Sequence, residues 1–366
     1  MRSYFGENIK FTLEGESHGE FVSATVSGLP KDFAVDKDEL LAFMKRRQGG
    51  NLPFTTPRKE EDLPVFETGM TDSLVTDGGT LIAKIYNKNV RSGDYKGFTD
   101  TPRPSHAEYT AQMRYGSDID LRGGGHFSAR LTAPLCAVGG ILKQMLEKKG
   151  IVIGTHLYSV GSVKDDPFSL TEVSRKDFDK ALNAPTLPVL NEDAGEKMSA
   201  ELHEALCDGD SLGGVVECAI LGLPAGYGDP LYDGIENRLA GAIFGLGGVR
   251  GIEFGLGFEA TRMRGSKHND PFEIRDGRVV TKTNNCGGVI GGISDGMPII
   301  FRVAFKPTAS ISIEQDTVSL SEMKNTKIKI NGRHDPCIAI RALPCVESIA
   351  AAVIADLIVS RDGSLL

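Results

Sequence analysis

The chain predicts an α+β architecture in which antiparallel sheets cover helices. Three observations support this. Helix and strand signals mix without a clean βαβ rhythm, many strands are sequence neighbours, and neither a Ser/Gly-rich or charged linker nor a fixed-period repeat divides the 366 residues. The expected organisation is one domain over residues 1–366. Glycine makes up 44 of those residues, about 12% against a usual share of roughly 7%. With 40% hydrophobic and 25% charged residues the balance is globular. The glycine excess therefore calls for tight turns or close backbone approach to a ligand.

Short alternating strands are expected at 9–13 and 21–27. Asp36 then opens a helix, with Glu39 in the capping-box position and Leu40, Leu41 and Met44 on its apolar face. A strand follows at 80–87. A long helix runs from Ser128 to Lys149 and ends at Gly150, a suitable C-terminal cap. Residues 151–160 return as a strand. The polar stretch 169–208 reads as helical, with an irregular middle at Pro185 and Pro188. Strands at 213–223, 298–305, 310–314 and 326–330, a helix at 233–244 and a final apolar helix at 346–359 complete the pattern.

The apolar run 349–359 is interrupted by Asp356 and is short of the ~20 residues a membrane helix needs. The N-terminal residues show no signal-peptide core, so the chain is expected to start near Met1 and to work in the cytoplasm. The six cysteines form no CxxC pair and read as buried free thiols. A formal net charge of −8 argues against nucleic acid as a partner. Basic residues nevertheless gather at Lys45, Arg46, Arg47, Arg58 and Lys59, then at Arg91, Lys96, Arg103, Arg114, Arg122 and Arg130, with Arg333 and Arg341 near the end. Two readings remain open: a solvated face, or a pocket for a small, multiply anionic ligand.

Four loops carry chemistry. Gly15-Glu16-Ser17-His18-Gly19 presents an imidazole at a tight turn, or is a plain hairpin loop. In Arg103-Pro104-Ser105-His106-Ala107 a proline holds the backbone before a second histidine, and Ser105 also reads as a helix cap. In Arg122-Gly123-Gly124-Gly125-His126-Phe127-Ser128-Ala129-Arg130, three glycines lead into a helix N-terminus, a place suited to anions or to a close helix–strand crossing. It matches neither a dinucleotide fingerprint nor a Walker loop. Gly332-Arg333-His334-Asp335-Pro336-Cys337 holds a carboxylate extended before proline. No metal-ligand spacing surrounds His334 and Asp335. A further glycine-rich run, 284–292, and the segment Lys306-Pro307-Thr308-Ala309-Ser310 would suit a mononucleotide phosphate.

Taken together and in order, these segments resemble the chorismate synthase family over nearly the whole chain. Arg46-Arg47-Gln48-Gly49-Gly50 and Gly251-x-Glu253-x-Gly255 add to the likeness. The resemblance implies a single-domain β-α-β sandwich with helices between antiparallel sheets, assembled as a homotetramer. It implies conversion of 5-enolpyruvylshikimate 3-phosphate to chorismate and phosphate by trans-1,4-elimination, with reduced FMN and no net redox change. Partners would be the small anionic substrate and an external flavin reductant, not a nucleic acid or a membrane. By motif position, His18 resembles the general acid toward the departing phosphate, and His106 the proton donor to reduced flavin. Asp335 resembles the carboxylate acting in ring-proton removal, and Ser17 and Ser128 resemble hydroxyls that orient or relay. Arg47, Arg58, Arg103, Arg130 and Arg333 resemble substrate-binding cations. Gly288, Lys306, Thr308 and Ser310 resemble the FMN-binding part, and no metal is implied.

Departures from the family pattern stand at Pro53, Ser105, His126, Leu131 and Arg250, each changing charge or backbone freedom near the expected pocket. Where the family usually carries Arg, a neutral His126 would leave one cation fewer for the substrate. Two other classes of function stay in view: a flavin oxidoreductase with net hydride transfer, and a non-catalytic sensor of anionic metabolites. On the leading reading the glycine excess belongs to one crowded site.

Overall fold

The computed structural model describes residues 2–50, 54–56, 60–88, 97–330 and 334–366. Two five-stranded antiparallel sheets enclose a helical layer. The first sheet runs in the order Arg2–Phe5, Lys10–Gly15, Phe21–Ser27, Leu81–Tyr86, Val65–Thr68. The second runs Val249–Phe254, Ile299–Phe305, Gly214–Leu221, Val152–Val160, Val163–Lys164. Alternation in the first sheet sends Val22, Ala24, Val26, Leu81, Ala83 and Ile85 inward to complete burial or nearly so. In the second sheet neighbouring residues such as Ile299, Ile300 and Phe301 are all buried, because both faces are covered.

Helix α1 is Lys37–Lys45, α2 Glu108–Tyr115, α3 Thr132–Lys148, α4 Arg175–Leu182, α5 Glu192–Cys207, α6 Ile235–Ile243, α7 Gly265–His268 and α8 Ala339–Asp362. Helix α3 packs on the first sheet, α8 on the second, and the two pack on each other. Their contact is close because α3 carries Gly139 where a Cβ would stand 2.2 Å from the Ser348 Cβ of α8. As expected, Asp36 caps α1, accepting from the Glu39 amide at 2.9 Å, and Leu40 and Met44 are buried; Phe43 rather than Leu41 completes the buried face.

The boundaries differ from expectation in instructive places. The last helix begins at Ala339 rather than 346, with Pro344 inside it. An interior proline costs ~3 kcal/mol, and burial of nearly the whole helix between the sheets offsets it. At 24 residues α8 is long and apolar enough to cross a membrane, but 89% of its apolar 18-residue window is buried among the protein's own elements. Asp356, which interrupts the run, accepts from the amides of Asn8 at 2.6 Å and Ile9 at 2.7 Å and pairs with Arg238 at 2.9 Å. The long helix expected from Ser128 starts as a 3-10 turn, Ala129–Leu131, before α3. Residues 310–314 form no strand; pairing begins at Gln315–Ser319 with Lys324–Ile328. The polar stretch resolves into α4 and α5. All six cysteines are free thiols; Cys136, Cys218, Cys337 and Cys345 are buried, whereas Cys207 is exposed and Cys286 half-buried.

One buried charge group ties α1, α3 and α8 together. Glu347, fully buried, is gripped by Arg46 at 2.6 and 3.0 Å, by Thr155 at 2.6 Å and by Lys143. Burial alone would raise its pKa, but the two cations outweigh it and hold the carboxyl at about 2. Because the folded-state value lies below the ordinary 4.5, this stabilisation is complete above about pH 4.5 and is lost as pH falls toward 2. It should amount to about 3 kcal/mol over that window. Glu347→Gln should flatten acid denaturation over the same range, and at neutral pH should lose about 3–5 kcal/mol, because two buried cations are left unpaired. Denaturant titrations at several pH values measure both.

Candidate active site

The site is built where the turn after the strand Lys10–Gly15 meets the triglycine loop. Ser17, almost fully buried, donates its amide to the Gly125 carbonyl at 3.1 Å. A Cβ at Gly123 would stand 2.6 Å from His18 Cδ2 and Nε2, and 2.9 Å from Ser17 Oγ. A Cβ at Gly124 would stand 3.4 Å from His106 Cε1 and 3.5 Å from Ser128 Cβ. Both glycines have positive φ, +62° and +86°. Bare backbone is thus what lets two histidines and two serines lie along one short segment. Ser128 caps the following turn, accepting from the Arg130 amide at 3.3 Å.

His106 lies beside Arg103 and Glu108. Arg103 is buried, donates from Nη1 to Ser310 Oγ at 2.8 Å and from Nε to Glu108 Oε1 at 2.9 Å, and stacks over Phe98. His106 Nδ1 lies 2.8 Å from the same Glu108 oxygen. Burial opposes the charge of Glu108, but His106 and Arg103 together hold its carboxyl below the usual range. Ser105 is not the helix cap: α2 starts at Glu108 after Ala107, and Ser105 takes φ +58°. That conformation favours glycine over a residue with a side chain. The Ser105 carbonyl accepts from Lys306 Nζ.

Asp335 is held by Arg341, whose Nη1 lies 2.8 and 3.2 Å from its two carboxylate oxygens, and by the Thr56 amide at 2.8 Å. Its backbone carbonyl accepts from Thr308 Oγ1 at 2.8 Å. Arg341 Nε donates to the Arg47 carbonyl at 2.8 Å. The Arg47 side chain pairs with Asp62 at 2.6 Å, and the other oxygen of Asp62 takes Arg130. Arg130 Nε donates to Asn87 Oδ1 at 2.7 Å, and Asn87 Nδ2 returns to the carbonyls of Glu16 and Gly19, at the two sides of His18. The contacts, joined by the chain segment 308–310, close into a ring: His18, the triglycine loop, His106, Arg103, Ser310, Thr308, Asp335, Arg341, Arg47, Asp62, Arg130, Asn87 and back to the His18 turn.

Within this ring lie Ser17, His18, Arg47, Arg103, His106, Ser128, Arg130, Thr308, Ser310 and Asp335, with Lys306 attached through Ser105. Arg58 and Arg333 lie outside the described residues, as does Pro53. Gly288 is placed elsewhere. It packs at the start of the strand Ile299–Phe305, where a Cβ would stand 2.4 Å from the Pro298 carbonyl oxygen. Lys306 follows the far end of that seven-residue strand, more than about 20 Å away. The glycines at 287–292 therefore form a turn at the other end of that strand from Lys306. His126 is also occupied: its ring nitrogens lie 2.9 Å from the Gly15 carbonyl and 2.9 Å from Ser3 Oγ, so it anchors the loop to the first sheet. A cleft of about 330 Å³ beside Arg46 and Glu347, between α1, α3 and α4, contains none of the expected catalytic residues.

The expected anion-binding arginines are largely neutralised. Arg47 and Arg130 share Asp62, with Glu60 4.0 Å from Arg130, and Arg103 is paired with Glu108. Among the described residues no carboxylate pairs with Lys306 or with neighbouring Arg250. Burial, and then the Arg250 charge, push the Lys306 ammonium pKa down. Sequence reasoning missed Asp62, Asn87, Glu108 and the role of Arg341. Asp62 sits in an acidic run that reads as solvated, and Glu108 reads as an ordinary acidic residue at a helix start. Asp62→Asn leaves two buried guanidinium groups without their shared carboxylate and should destabilise the protein by about 3–5 kcal/mol, read from the denaturant midpoint.

With this geometry in view, comparisons with known proteins agree with one another. The family model described as chorismate synthase matches residues 9–359. The chain is 42% identical to a chorismate synthase of Lancefieldella parvula over 98% of this chain and 97% of that protein. It is 45% identical to one from Pyrococcus abyssi over 97% of each. A crystal structure of chorismate synthase superposes with a TM-score of 0.77 at 26% identity, covering 98% of this chain and 94% of the other. The antiparallel β-α-β sandwich, the ordered loops that meet in one ring and a match over nearly the full length lead to one conclusion: the chain belongs to the chorismate synthase family.

Proposed function

We propose that the chain, as one domain over residues 1–366, converts 5-enolpyruvylshikimate 3-phosphate to chorismate and phosphate with reduced FMN as cofactor. The observation that carries this reading is the ring of contacts, which gathers the His18, His106 and Asp335 loops in a chain of this family. Two imidazoles and a carboxylate suit an elimination in which phosphate leaves and a ring proton is removed. Binding alone would not require them, which disfavours a sensor.

His18 is the general acid that protonates the departing phosphate, and Ser17 beside it orients that proton. Asp335 takes part in removing the ring proton; Arg341 and the Thr56 amide point its carboxylate. His106 presents a proton on the cofactor side, next to Ser128. Reduced FMN, when bound, supplies electron density that weakens the bond to phosphate. The residues fit such a group: among the described residues Lys306 and Arg250 are adjacent cations without a carboxylate partner, as a phosphate requires, and bare backbone at Gly123 and Gly124 lets His18 and His106 lie close to one segment. Thr308 and Ser310 line the same segment, and Gly288 is proposed as a further cofactor contact on motif position alone. Arg47, Arg103 and Arg130 frame the substrate. Arg47 and Arg130 each place three hydrogen bonds inside the protein, and the guanidinium has five donors. Arg58 and Arg333 are proposed as further substrate cations on motif position alone.

The chain is proposed to act in the cytoplasm as a homotetramer and to take reduced flavin from an external reductant. Exposed Leu231, Tyr232, Phe258, Phe272, Ile274 and Val279 support assembly, since large exposed apolar side chains in number favour burial against another copy. Mass photometry tests the tetramer, and an aerobic assay with NADPH as sole reductant tests the external source.

The deciding experiment is an anaerobic assay with reduced FMN and substrate. Phosphate release without net flavin oxidation supports the elimination; net oxidation favours the oxidoreductase, and tight binding without phosphate favours the sensor. His18→Ala, His106→Ala and Asp335→Ala should each lower turnover by roughly 10²–10⁴-fold while folding and FMN binding persist. Full activity in any one removes that residue from the mechanism.

A further inference from the structure

We propose that Glu108 is the positioning residue for His106, a buried carboxylate that keeps the proton on Nδ1 and turns Nε2 toward the reacting groups. This rests on the reading of His106 as a proton donor given above.

The geometry differs from that of a plain ion pair. Glu108 is fully buried, and an Arg–carboxylate pair in such a place ordinarily uses both oxygens in a fork. Here Oε1 alone is shared: it takes Arg103 Nε at 2.9 Å and also Arg103 Nη2, and it lies 2.8 Å from His106 Nδ1. Oε2 is buried and accepts no hydrogen bond among the described residues. Serving only as a counterion to Arg103 would not require one oxygen to be idle and the other to sit between guanidinium and imidazole.

The consequence for His106 follows from donor chemistry. An ionised carboxylate only accepts, so the proton facing it is on Nδ1. Nε2 then lies on the triglycine side, 3.6 Å from where a Gly124 Cβ would stand, near Ser128. Arg103 Nη2 is 3.2 and 3.4 Å from the two ring nitrogens. Among the described residues the charged groups in contact with the ring are thus Arg103 and Glu108, with Lys306 reaching the preceding Ser105 carbonyl. Without Glu108, both cations would act on the imidazole unopposed and disfavour its protonated form.

The test uses the full-length protein and the variants Glu108→Gln, Glu108→Asp and His106→Asn. ¹⁵N-histidine spectra, with His106→Asn assigning the signal, read the ring proton directly. In the neutral ring, wild type should carry the proton on Nδ1; a neutral ring protonated on Nε2 instead overturns the proposal whatever the activities. Glu108→Gln should lower kcat by about 10–10²-fold with KM changed less than about twofold, and shift the pH profile of turnover toward acid. Glu108→Asp, which keeps the charge, should recover most of that turnover and serves where Glu108→Gln does not fold. Loss of thermal stability with kcat and pH profile intact would reduce Glu108 to a counterion and overturn the proposal. Full turnover in His106→Asn would instead remove the proton-donor reading itself, which separates the two failures.

Discussion

The architecture around the candidate site depends on one buried carboxylate. Asp62 stands between Arg47, at the end of α1, and Arg130, at the entry to α3, and is nearly inaccessible to water. Two guanidinium groups brought together in a low-dielectric place repel strongly unless an anion lies between them. Through Arg47 the carboxylate reaches Arg341 and Asp335; through Arg130 it reaches Asn87 and the His18 turn. Two of the proposed catalytic loops are thereby referenced to a single point, and the third, with His106, is joined through the triglycine loop and Ser310.

This arrangement changes the meaning of the arginine-rich composition. Arg47, Arg103 and Arg130 look like ligand cations when counted along the chain, yet each has an internal carboxylate partner. Pairing makes them rigid donors instead of free charge. Among the described residues Lys306 and neighbouring Arg250 have no carboxylate partner, and burial and the Arg250 charge disfavour the Lys306 ammonium. A phosphate group would relieve that repulsion, so binding and electrostatic relaxation would be coupled at that point. An acidic protein with a net charge of −8 can in this way hold an anion locally.

The parts of the site legible in the sequence are those whose local chemistry is unusual. His18 and His106 stand among Gly, Ser and Pro, and Asp335 before proline, so their loops are marked by backbone constraint as well as by side chain. Asp62 and Glu108 carry no such mark. Acidic residues in a polar run or a first helical turn are commonplace, and only the arrival of Arg47, Arg130 or Arg103 from elsewhere in the chain buries them. Gly288 stands apart from that group: its glycine-rich surroundings look like a phosphate loop, and within the fold they allow a close approach to Pro298 at the other end of the strand from Lys306.

Sequence by itself determined the α+β class, most strand and helix positions and the order of the chemical loops, because these follow from local periodicity, caps and backbone preferences. It also made the family recognisable. Tertiary structure alone decided that α8 starts at Ala339 despite Pro344, that Gly139 admits Ser348, and that His126 anchors a loop. It decided as well which cations are spent on internal carboxylates. Those outcomes turn on burial and on partners distant in sequence, whose desolvation and pairing energies have no counterpart in any local stretch of chain.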